Sequence, residues 1–213
     1  MQSLWRRRRK SFKESYLFEF SRLFSYPFTV LFYKLRFISP NFVTVLSFLI
    51  GVFSAFLLLN GNYVFAGIVY WFSWVFDLVD GELARLKGKA SQFGAWLDGI
   101  LDRIRELIIL IAISVVIYIN EPSLFVMVLS ILAIISTLFW RHSALFTKVK
   151  FNVEDSKPKD QKPIEVDVAI QNLVISVLII FNQLVVLLLL FAVLFNLAWI
   201  KNVLFWVIRY RKR

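Results

Sequence analysis

Long apolar stretches alternate with short polar connections along most of this chain, and the alternation predicts membrane-spanning helices. An apolar run of about 20 residues is long enough to cross a bilayer as a helix. The connections at 60–62, 120–122 and 182–183 have the composition of tight turns, and none contains lysine or arginine. The pattern predicts six spans, at 42–59, 63–80, 94–119, 123–140, 166–181 and 184–200. The fifth is the weakest, because it is short and contains Gln171 and Asn172.

The segment before the first span has a different pattern, in which apolar residues recur at helical spacing among charged ones. Ser11 and Glu14 fit a capping box at the start of a helix. The apolar stripe that follows consists of Phe12, Tyr16, Leu17, Phe20, Leu23 and Phe24. Such a helix is expected to lie in the membrane interface. The sequence therefore predicts an all-α fold with an amphipathic segment at 1–36 and a six-span membrane domain at 37–213.

Composition and charge support a membrane protein and limit its chemistry. Of 213 residues, 59% are hydrophobic and 18% are charged, with a mean hydropathy of +0.71. Cysteine is absent, which excludes disulfides, zinc–thiolate sites and thiol nucleophiles. Most of the lysine and arginine residues that give the net charge of +11 lie near the two ends of the chain and in the other connections, and none lies in the three tight turns. The positive-inside rule therefore predicts cytoplasmic termini and a cytoplasmic 81–93 connection. The charge thus reflects topology in the cytoplasmic membrane, and no soluble domain remains to bind nucleic acid.

Two pairs of aspartates stand where apolar sequence surrounds them, and their spacing predicts a shared site. Asp77 and Asp80 share one helical face with Gly81, Ala84 and Arg85.

The second pair, Asp98 and Asp102, shares a face with Gly94 on the next helix. Carboxylates near lipid are costly and usually functional, and hard oxygen ligands suit Mg²⁺, Mn²⁺ or Ca²⁺. A pair of such ions commonly assists displacement at phosphorus, while a carboxylate accepts the proton of the attacking hydroxyl.

A cation channel or transporter using the same carboxylates is the alternative, although all four are predicted at one membrane face and transporter sites tend to lie near the midplane. Arg103 and Arg105 also lie inside the third span, where pairing with Asp102 and Glu106 is expected.

The complete pattern resembles a known family signature. Asp77-x-x-Asp80-Gly81-x-x-Ala84-Arg85, eight further residues, and then Gly94-x-x-x-Asp98-x-x-x-Asp102 is similar to the motif of the CDP-alcohol phosphotransferases. Every fixed position of that motif is met. The sequence from Ser39 to Thr44 also resembles the segment that opens the first span of this family.

The resemblance implies a reaction and a set of residue roles. Asp77 and Asp98 are expected to bridge two Mg²⁺ or Mn²⁺ ions, with Asp80 and Asp102 completing one shell each and Asp102 also acting as the proton acceptor. The expected CDP contacts come from Asn41, Thr44, Gly81, Ala84, Arg85, Ser91 and Gly94. The implied reaction transfers a phosphate-linked alcohol from a CDP-alcohol to an acceptor hydroxyl and releases CMP, in a membrane protein that is expected to form a homodimer.

The two substrates are less closely defined by the resemblance. A CDP-linked lipid is the favoured donor, and CDP-inositol is the alternative, because Gly81–Leu86 and Leu101-Asp102-Arg103 resemble the inositol-phosphate-transferring branches. Cationic candidates for a polar, phosphorylated acceptor are Arg141, Lys148 and Lys150. However, no lysine or arginine lies between Lys162 and Lys201, which departs from the pattern expected of sugar-phosphate users.

Overall fold

The computed structural model describes residues 16–35, 37–150 and 168–211, without the side chains of 16–19, 141–150, 206 and 209–211. All regular secondary structure in these ranges is helical, as the sequence predicts. The elements are α1 Tyr16–Lys34, α2 Pro40–Leu59, α3 Tyr63–Leu86, α4 Gln92–Asn120, α5 Leu124–Lys150, α6 Val168–Ile180, α7 Leu184–Leu190, a π-helical turn Phe191–Phe195, and α8 Asn196–Arg211.

Local sequence signals explain where these helices begin and end. The Ser39 hydroxyl accepts a hydrogen bond from the backbone N–H of Phe42 at 3.1 Å, and Pro40 occupies the first turn of α2, where its missing N–H costs nothing. The predicted turn between α2 and α3 is formed with Gly61 at φ +76°, and the turn after α6 with Asn182 at φ +53°. Both angles lie in the left-handed region that glycine and asparagine tolerate best.

The predicted spans coincide with helices, and part of the membrane prediction is confirmed. Three helical segments are long and apolar enough to cross a bilayer, namely Pro40–Leu59, Tyr63–Leu86 and Leu184–Phe205. The segments Leu124–Trp140 and Val168–Ile180 are apolar but shorter. Helix α4 has 29 residues, and its first half carries the charged side chains of the site. The chain is an integral membrane protein, and the count of six spans stays a prediction.

Helix α2 packs against both of the helices that carry the aspartates. Helix α2 packs extensively on both α3 and α4, whereas α3 and α4 have no comparable contact with each other in the described chain. Helix α3 also packs against α1 and α6, and α5 packs against the last helical stretch and α4. The two helices that carry the aspartates are therefore joined mainly through α2.

Buried apolar side chains form one large core and one small one. The large core includes Tyr70, Ile113, Ile175 and Leu187 and fills the bundle away from the charged residues. The small core consists of Ile38, Val43, Val79 and Leu83, with Phe28, Phe32 and Phe76 packed against it. It fixes the relative positions of α1, α2 and α3 close to the aspartates.

The backbones of α3 and α6 approach each other closely at Gly67. A β-carbon at this position would lie 2.6 Å from the carbonyl oxygen of Ser176 and 2.5 Å from a side-chain carbon of Ile180. Small residues permit such close packing in membrane bundles. Gly67 therefore sets the distance between these two helices.

Helix α1 turns its polar face toward the protein and its apolar face outward. Ser21, Ser25 and Thr29 are buried, and Phe20, Leu23 and Phe24 from the predicted stripe are exposed. The helix runs beyond the predicted stripe as far as Lys34 and contains Pro27. The predicted capping box and Phe12 lie outside the described residues, as do the side chains of Tyr16 and Leu17.

Glu82 of α3 holds the polar face of α1. Its carboxylate accepts hydrogen bonds from the hydroxyl groups of Thr29 at 2.7 Å and Ser25 at 3.3 Å. The Arg22 guanidinium lies 3.6 Å from the same carboxylate. These contacts explain why the hydroxyl-bearing side of α1 faces inward.

The polar residues that weaken the fifth predicted span are directed into the bundle. Gln171 and Asn172 on α6 are both buried. The Gln171 amide donates a hydrogen bond to the carboxylate of Glu106 on α4, and the Asn172 amide donates to the carbonyl of Val168 at 2.9 Å. A short helix thus carries polar groups because its neighbours supply partners for them.

Candidate active site

Three of the four predicted aspartates meet at one end of the bundle. Asp77 on α3 and Asp98 and Asp102 on α4 each offer a carboxylate oxygen, and the three oxygens lie within 4.8 Å of one another. Each of these side chains is partly exposed, so the cluster opens to its surroundings rather than being enclosed. The helical spacing of the aspartates therefore produces the predicted convergence of two helices on one cleft.

Asp80 lies one turn further along α3 and is held differently. Its side chain is buried, and the Thr44 hydroxyl of α2, which donates to the Pro40 carbonyl at 3.2 Å, lies close to its carboxylate. The Oδ2 atom of Asp80 and the Oδ1 atom of Asp98 are buried and have no hydrogen-bond partner among the described residues. A buried carboxylate oxygen without a donor is costly, which is the condition that a bound cation relieves.

The composition of the cluster fits a hard divalent cation. Its ligands are carboxylate oxygens only, and oxygen-only sites favour Mg²⁺, Mn²⁺ or Ca²⁺ over zinc. Asp80, outside these three, and Asp98, one of them, each have a buried carboxylate oxygen without a hydrogen-bond partner among the described residues. The residues present therefore match a divalent metal centre.

A buried arginine connects the two helices at the inner side of the cluster. The Nη2 atom of Arg105 lies 2.6 Å from Oδ1 of Asp102, and its Nη1 atom lies 3.6 Å from Oδ1 of Asp77. Pairing of Arg105 with Asp102 is expected from the sequence. The contact with Asp77 on the other helix is not.

A second ion pair, between Arg103 and Glu106, lies next to Arg105 on α4. The Arg103 guanidinium donates to the Glu106 carboxylate at 2.9 Å, as the sequence predicts. Glu106 also accepts the hydrogen bond from Gln171. Helix α6 is thereby joined to α4 through an uncharged amide.

The residues predicted to contact the nucleotide surround the aspartates in two groups. In one group, a β-carbon on Gly94 would lie 3.2 Å from the Ser91 hydroxyl and 3.3 Å from the Asn41 amide oxygen. The Ser91 hydroxyl also accepts a hydrogen bond from the Gly94 N–H at 3.0 Å and caps α4. Three predicted residues from α2 and α4 are therefore neighbours.

The other group lies on α3. A β-carbon on Gly81 would lie 3.3 Å from a guanidinium nitrogen of Arg85, so this arginine extends over the glycine. Ala84 is partly exposed on the same helix. Small residues here leave the backbone of α3 accessible beside a cation.

The connection after α3 is fixed against the connection before α2. The Lys87 ammonium group donates to the carbonyl oxygens of Ile38 at 2.7 Å and Leu35 at 3.1 Å. Gly88 follows at φ +64°, which lets the chain turn sharply toward α4. Both connections therefore lie at the end of the bundle that carries the aspartates.

The predicted acceptor cations lie at the end of α5. Helix α5 includes Arg141, Lys148 and Lys150, and the side chains of these residues lie outside the described part of the chain. Their role stays a prediction.

Sequence reasoning missed two contacts that shape the site. Glu82 stands inside the motif, yet its partners are on α1, and only the repeated small hydroxyl residues of α1 indicate a polar contact. The reach of Arg105 to Asp77 depends on space beside Gly51, where a β-carbon would lie 2.6 Å from two carbon atoms of the arginine. A glycine in an apolar span is the signal available for that contact.

Comparison with curated proteins gives matches over the segment that contains the motif. The bifunctional IPC transferase and DIPP synthase of Aquifex aeolicus is 41% identical over 76 residues, which are 36% of this chain and 18% of that protein. The archaetidylinositol phosphate synthase of Pyrococcus horikoshii is 38% identical over 77 residues, 36% of this chain and 41% of that protein. The phosphatidylinositol phosphate synthase of Mycobacterium tuberculosis is 40% identical over 70 residues, 32% of each chain. This chain thus spans less than half the length of these relatives.

Comparison with solved structures shows that the similarity of fold extends over most of the chain. The crystal structure of the Mycobacterium tuberculosis phosphatidylinositol phosphate synthase with CDP-DAG bound has a TM-score of 0.71 at 17% identity, covering 84% of this chain and 91% of that one. The structure of the same enzyme with manganese and citrate has a TM-score of 0.67 at 20% identity, covering 85% and 88%.

The family follows from a match that includes the site and the bundle around it. The protein-family model described as CDP-alcohol phosphatidyltransferase matches residues 37–208, which include all four aspartates and α2 to α7. The resemblance seen in the motif is therefore confirmed over most of the sequence. The chain belongs to the CDP-alcohol phosphatidyltransferase family.

Proposed function

We propose that this protein transfers a phosphate-linked alcohol from a CDP-alcohol to the hydroxyl group of an acceptor and releases CMP. The observation that carries the proposal is the convergence of three carboxylate oxygens within 4.8 Å at the end of the bundle that also holds Asn41, Ser91 and Gly94. Membership of the family supports the same reaction class.

The aspartates hold two divalent ions, Mg²⁺ or Mn²⁺, in this proposal. Asp77 and Asp98 would each contribute to holding both ions, Asp80 to holding one of them and Asp102 to holding the other. Bound ions would neutralise phosphate oxygens and stabilise the leaving group. The unpartnered oxygens of Asp80 and Asp98 support this assignment, as does the similar fold of an enzyme solved with manganese.

Asp102 accepts the proton of the acceptor hydroxyl. Its side chain is 20% exposed, so an acceptor can approach it. The Arg105 contact is on Oδ1, and a single contact on one oxygen orients the carboxylate while the other oxygen can face the acceptor.

The CDP group lies beside small residues and a cation. Gly81, Ala84 and Gly94 allow close approach to α3 and α4, Arg85 neutralises diphosphate charge, and Asn41, Thr44 and Ser91 supply polar contacts. The proximity of Asn41, Ser91 and Gly94, and separately of Gly81 and Arg85, supports this assignment.

The donor is a CDP-linked lipid. A lipid donor can leave its tails in the bilayer while the nucleotide lies at the helix ends, and the similar fold of an enzyme solved with CDP-DAG supports this choice. CDP-inositol is a second candidate, because a bifunctional IPC transferase and DIPP synthase is among the relatives. The acceptor is a polar alcohol of the inositol or inositol phosphate class, with Arg141, Lys148 and Lys150 as candidates for an acceptor phosphate.

The test is a panel of substrates with purified protein. CDP-DAG and CDP-inositol are each combined with inositol, inositol phosphate, glycerol phosphate and serine, and CMP release is measured with Mg²⁺ or Mn²⁺. One pair is expected to release CMP, and Asp102→Asn is expected to lower the rate by about 10²–10⁴-fold while binding of CDP-alcohol is retained. Divalent-cation flux in vesicles without any CMP release would contradict the proposal and favour a transporter.

A further inference from the structure

Arg105 is a fixed internal cation between the two halves of the aspartate cluster. We propose that Arg105 is a positioning residue that holds Asp77 and Asp102 in place before metal binds and, by competing for their carboxylates, weakens the binding of divalent ions. The inference rests on the proposed metal centre and adds to it a residue outside the family motif.

The surroundings of Arg105 are built to keep it in this place. Its side chain is only 5% exposed, and its Nη1 atom donates a hydrogen bond to the Ser73 hydroxyl on α3 at 3.2 Å. That hydroxyl donates in turn to the Ser47 carbonyl on α2 at 2.8 Å. Gly51 on α2 supplies the space for the aliphatic part of the arginine, since a β-carbon there would lie 2.6 Å from its Cγ and Cδ atoms. Three helices therefore contribute to one guanidinium position.

The guanidinium contacts one oxygen on each helix. It reaches Oδ1 of Asp102 on its own helix and Oδ1 of Asp77 on α3. A planar fork can engage two acceptors at once, which a lysine ammonium does with less geometric control. The arrangement keeps the two carboxylates at the cluster.

The positive charge of Arg105 explains how it stabilises the metal-free site and also lowers the affinity of that site for divalent ions. Carboxylates that share a site repel one another, and Arg105 offsets that repulsion when no ion is bound. A divalent ion at the same carboxylates is repelled by the guanidinium, so its affinity is lower than it would be without Arg105. Two divalent ions balance four carboxylates, so Arg105 leaves the loaded centre with one net positive charge toward an anionic diphosphate.

The test replaces Arg105 and measures metal binding and stability in the metal-free state. Arg105→Met keeps much of the side-chain volume and removes the charge. Its melting temperature is expected to fall clearly more in EDTA than in saturating Mn²⁺, because the ions replace the missing positive charge. By linkage, the Mn²⁺ dissociation constant from electron paramagnetic resonance titration is expected to decrease by about fivefold or more.

Three further variants separate this effect from packing. Arg103→Met removes a neighbouring arginine whose ion-pair partner is Glu106, and its loss of stability is expected to differ less between EDTA and Mn²⁺ than that of Arg105→Met. Arg105→Lys retains the charge and is expected to recover part of the stability lost in EDTA. Gly51→Ala displaces the guanidinium without changing any charge and is expected to shift Mn²⁺ affinity in the same direction as Arg105→Met.

The outcomes distinguish this inference from the proposed function. If the wild-type protein binds Mn²⁺ and Arg105→Met loses equal stability in both conditions with unchanged or weaker Mn²⁺ binding, Arg105 is a packing residue and the inference is wrong. If Arg105→Met folds only with Mn²⁺ present, the difference in stability is at its largest and supports the inference. A wild-type protein that binds no Mn²⁺ overturns both the metal centre and the role of Arg105.

Discussion

The four aspartates of the site differ in how the protein holds them. Asp80 is buried next to Thr44, whereas Asp77 and Asp102 are partly exposed and share the Arg105 guanidinium. Asp98 has a buried oxygen without a hydrogen-bond partner among the described residues. The four aspartates of the motif therefore have different surroundings, and substitutions at each position are expected to have different effects.

Asp77→Asn and Asp98→Asn are expected to remove activity while the bundle remains folded. Both residues are assigned to bridge the two ions, and loss of a direct ligand is expected to cost more than the 10–100-fold typical of residues behind the ligands, so CMP release should fall by more than about 100-fold. Rates with Mg²⁺ and the Mn²⁺ dissociation constant are measured together with the melting temperature. A near-normal rate of CMP release in either variant would contradict the assignment of that residue to both ions.

The positions of the site residues could be predicted from the sequence because they follow helical spacing. Asp98, Asp102 and Gly94 lie one or two turns apart, so their common face requires no tertiary information. The contacts of Arg105 and Glu82 could not be predicted in the same way. They join residues 28 or more positions apart, as in Asp77–Arg105 and Thr29–Glu82, and they depend on how α1, α3 and α4 are placed in space.

At the scale of elements, α3 connects the first half of the motif to three neighbouring helices. It contacts α2 on one side, α1 through Glu82 and α6 through Gly67, and it carries Asp77 and Asp80. A substitution at the contact with α1 or at the contact with α6 therefore tests how firmly Asp77 and Asp80 are held.

Gly67→Ala is expected to destabilise the protein, because its new methyl group meets the backbone of α6. Overpacking of this kind costs about 1–3 kcal/mol, which corresponds to a fall of roughly 2–4 °C in melting temperature per kcal/mol. Gly99→Ala on α4 is the matched control, since a β-carbon there meets nothing within 4 Å and alanine favours the helix. Thermal unfolding in detergent is the measurement, and equal melting temperatures for the two variants would contradict the close α3–α6 contact.

Glu82→Ala is expected to loosen α1 from the bundle. The substitution removes the acceptor of the Thr29 and Ser25 hydroxyl groups and the partner of Arg22. Loss of such a partly buried acceptor costs about 1–3 kcal/mol. Tryptic cleavage after Lys34 should become faster, whereas Glu121→Ala, in an exposed connection, should leave the rate unchanged. Equal cleavage rates for Glu82→Ala and the wild type would mean that Glu82 does not hold α1.

At the scale of the whole molecule, the distribution of charge predicts an orientation that can be measured directly. Lysine and arginine follow α3, whereas the connections at 60–62 and 120–122 contain neither. By the positive-inside rule, the aspartate cluster is expected on the cytoplasmic side.

Single cysteines can report this orientation without interference, because the chain contains no cysteine of its own. In intact cells, a membrane-impermeant maleimide is expected to label Asn62→Cys. Lys89→Cys is expected to react only after the membrane is opened, because it lies in the connection beside the site. The reverse pattern of labelling would invert the proposed topology.

The sparse direct contact between α3 and α4 has a mechanical consequence. Apart from α2, which packs against both helices, the side chains of the site are the main direct contact between α3 and α4 in the described chain. Ions bound to Asp77, Asp98 and Asp102 would then add a second direct link between α3 and α4 beside the Arg105 contacts. Chelation is therefore expected to leave the Arg105 contacts as the remaining direct link, and amide hydrogen exchange in the first turns of α4 should accelerate.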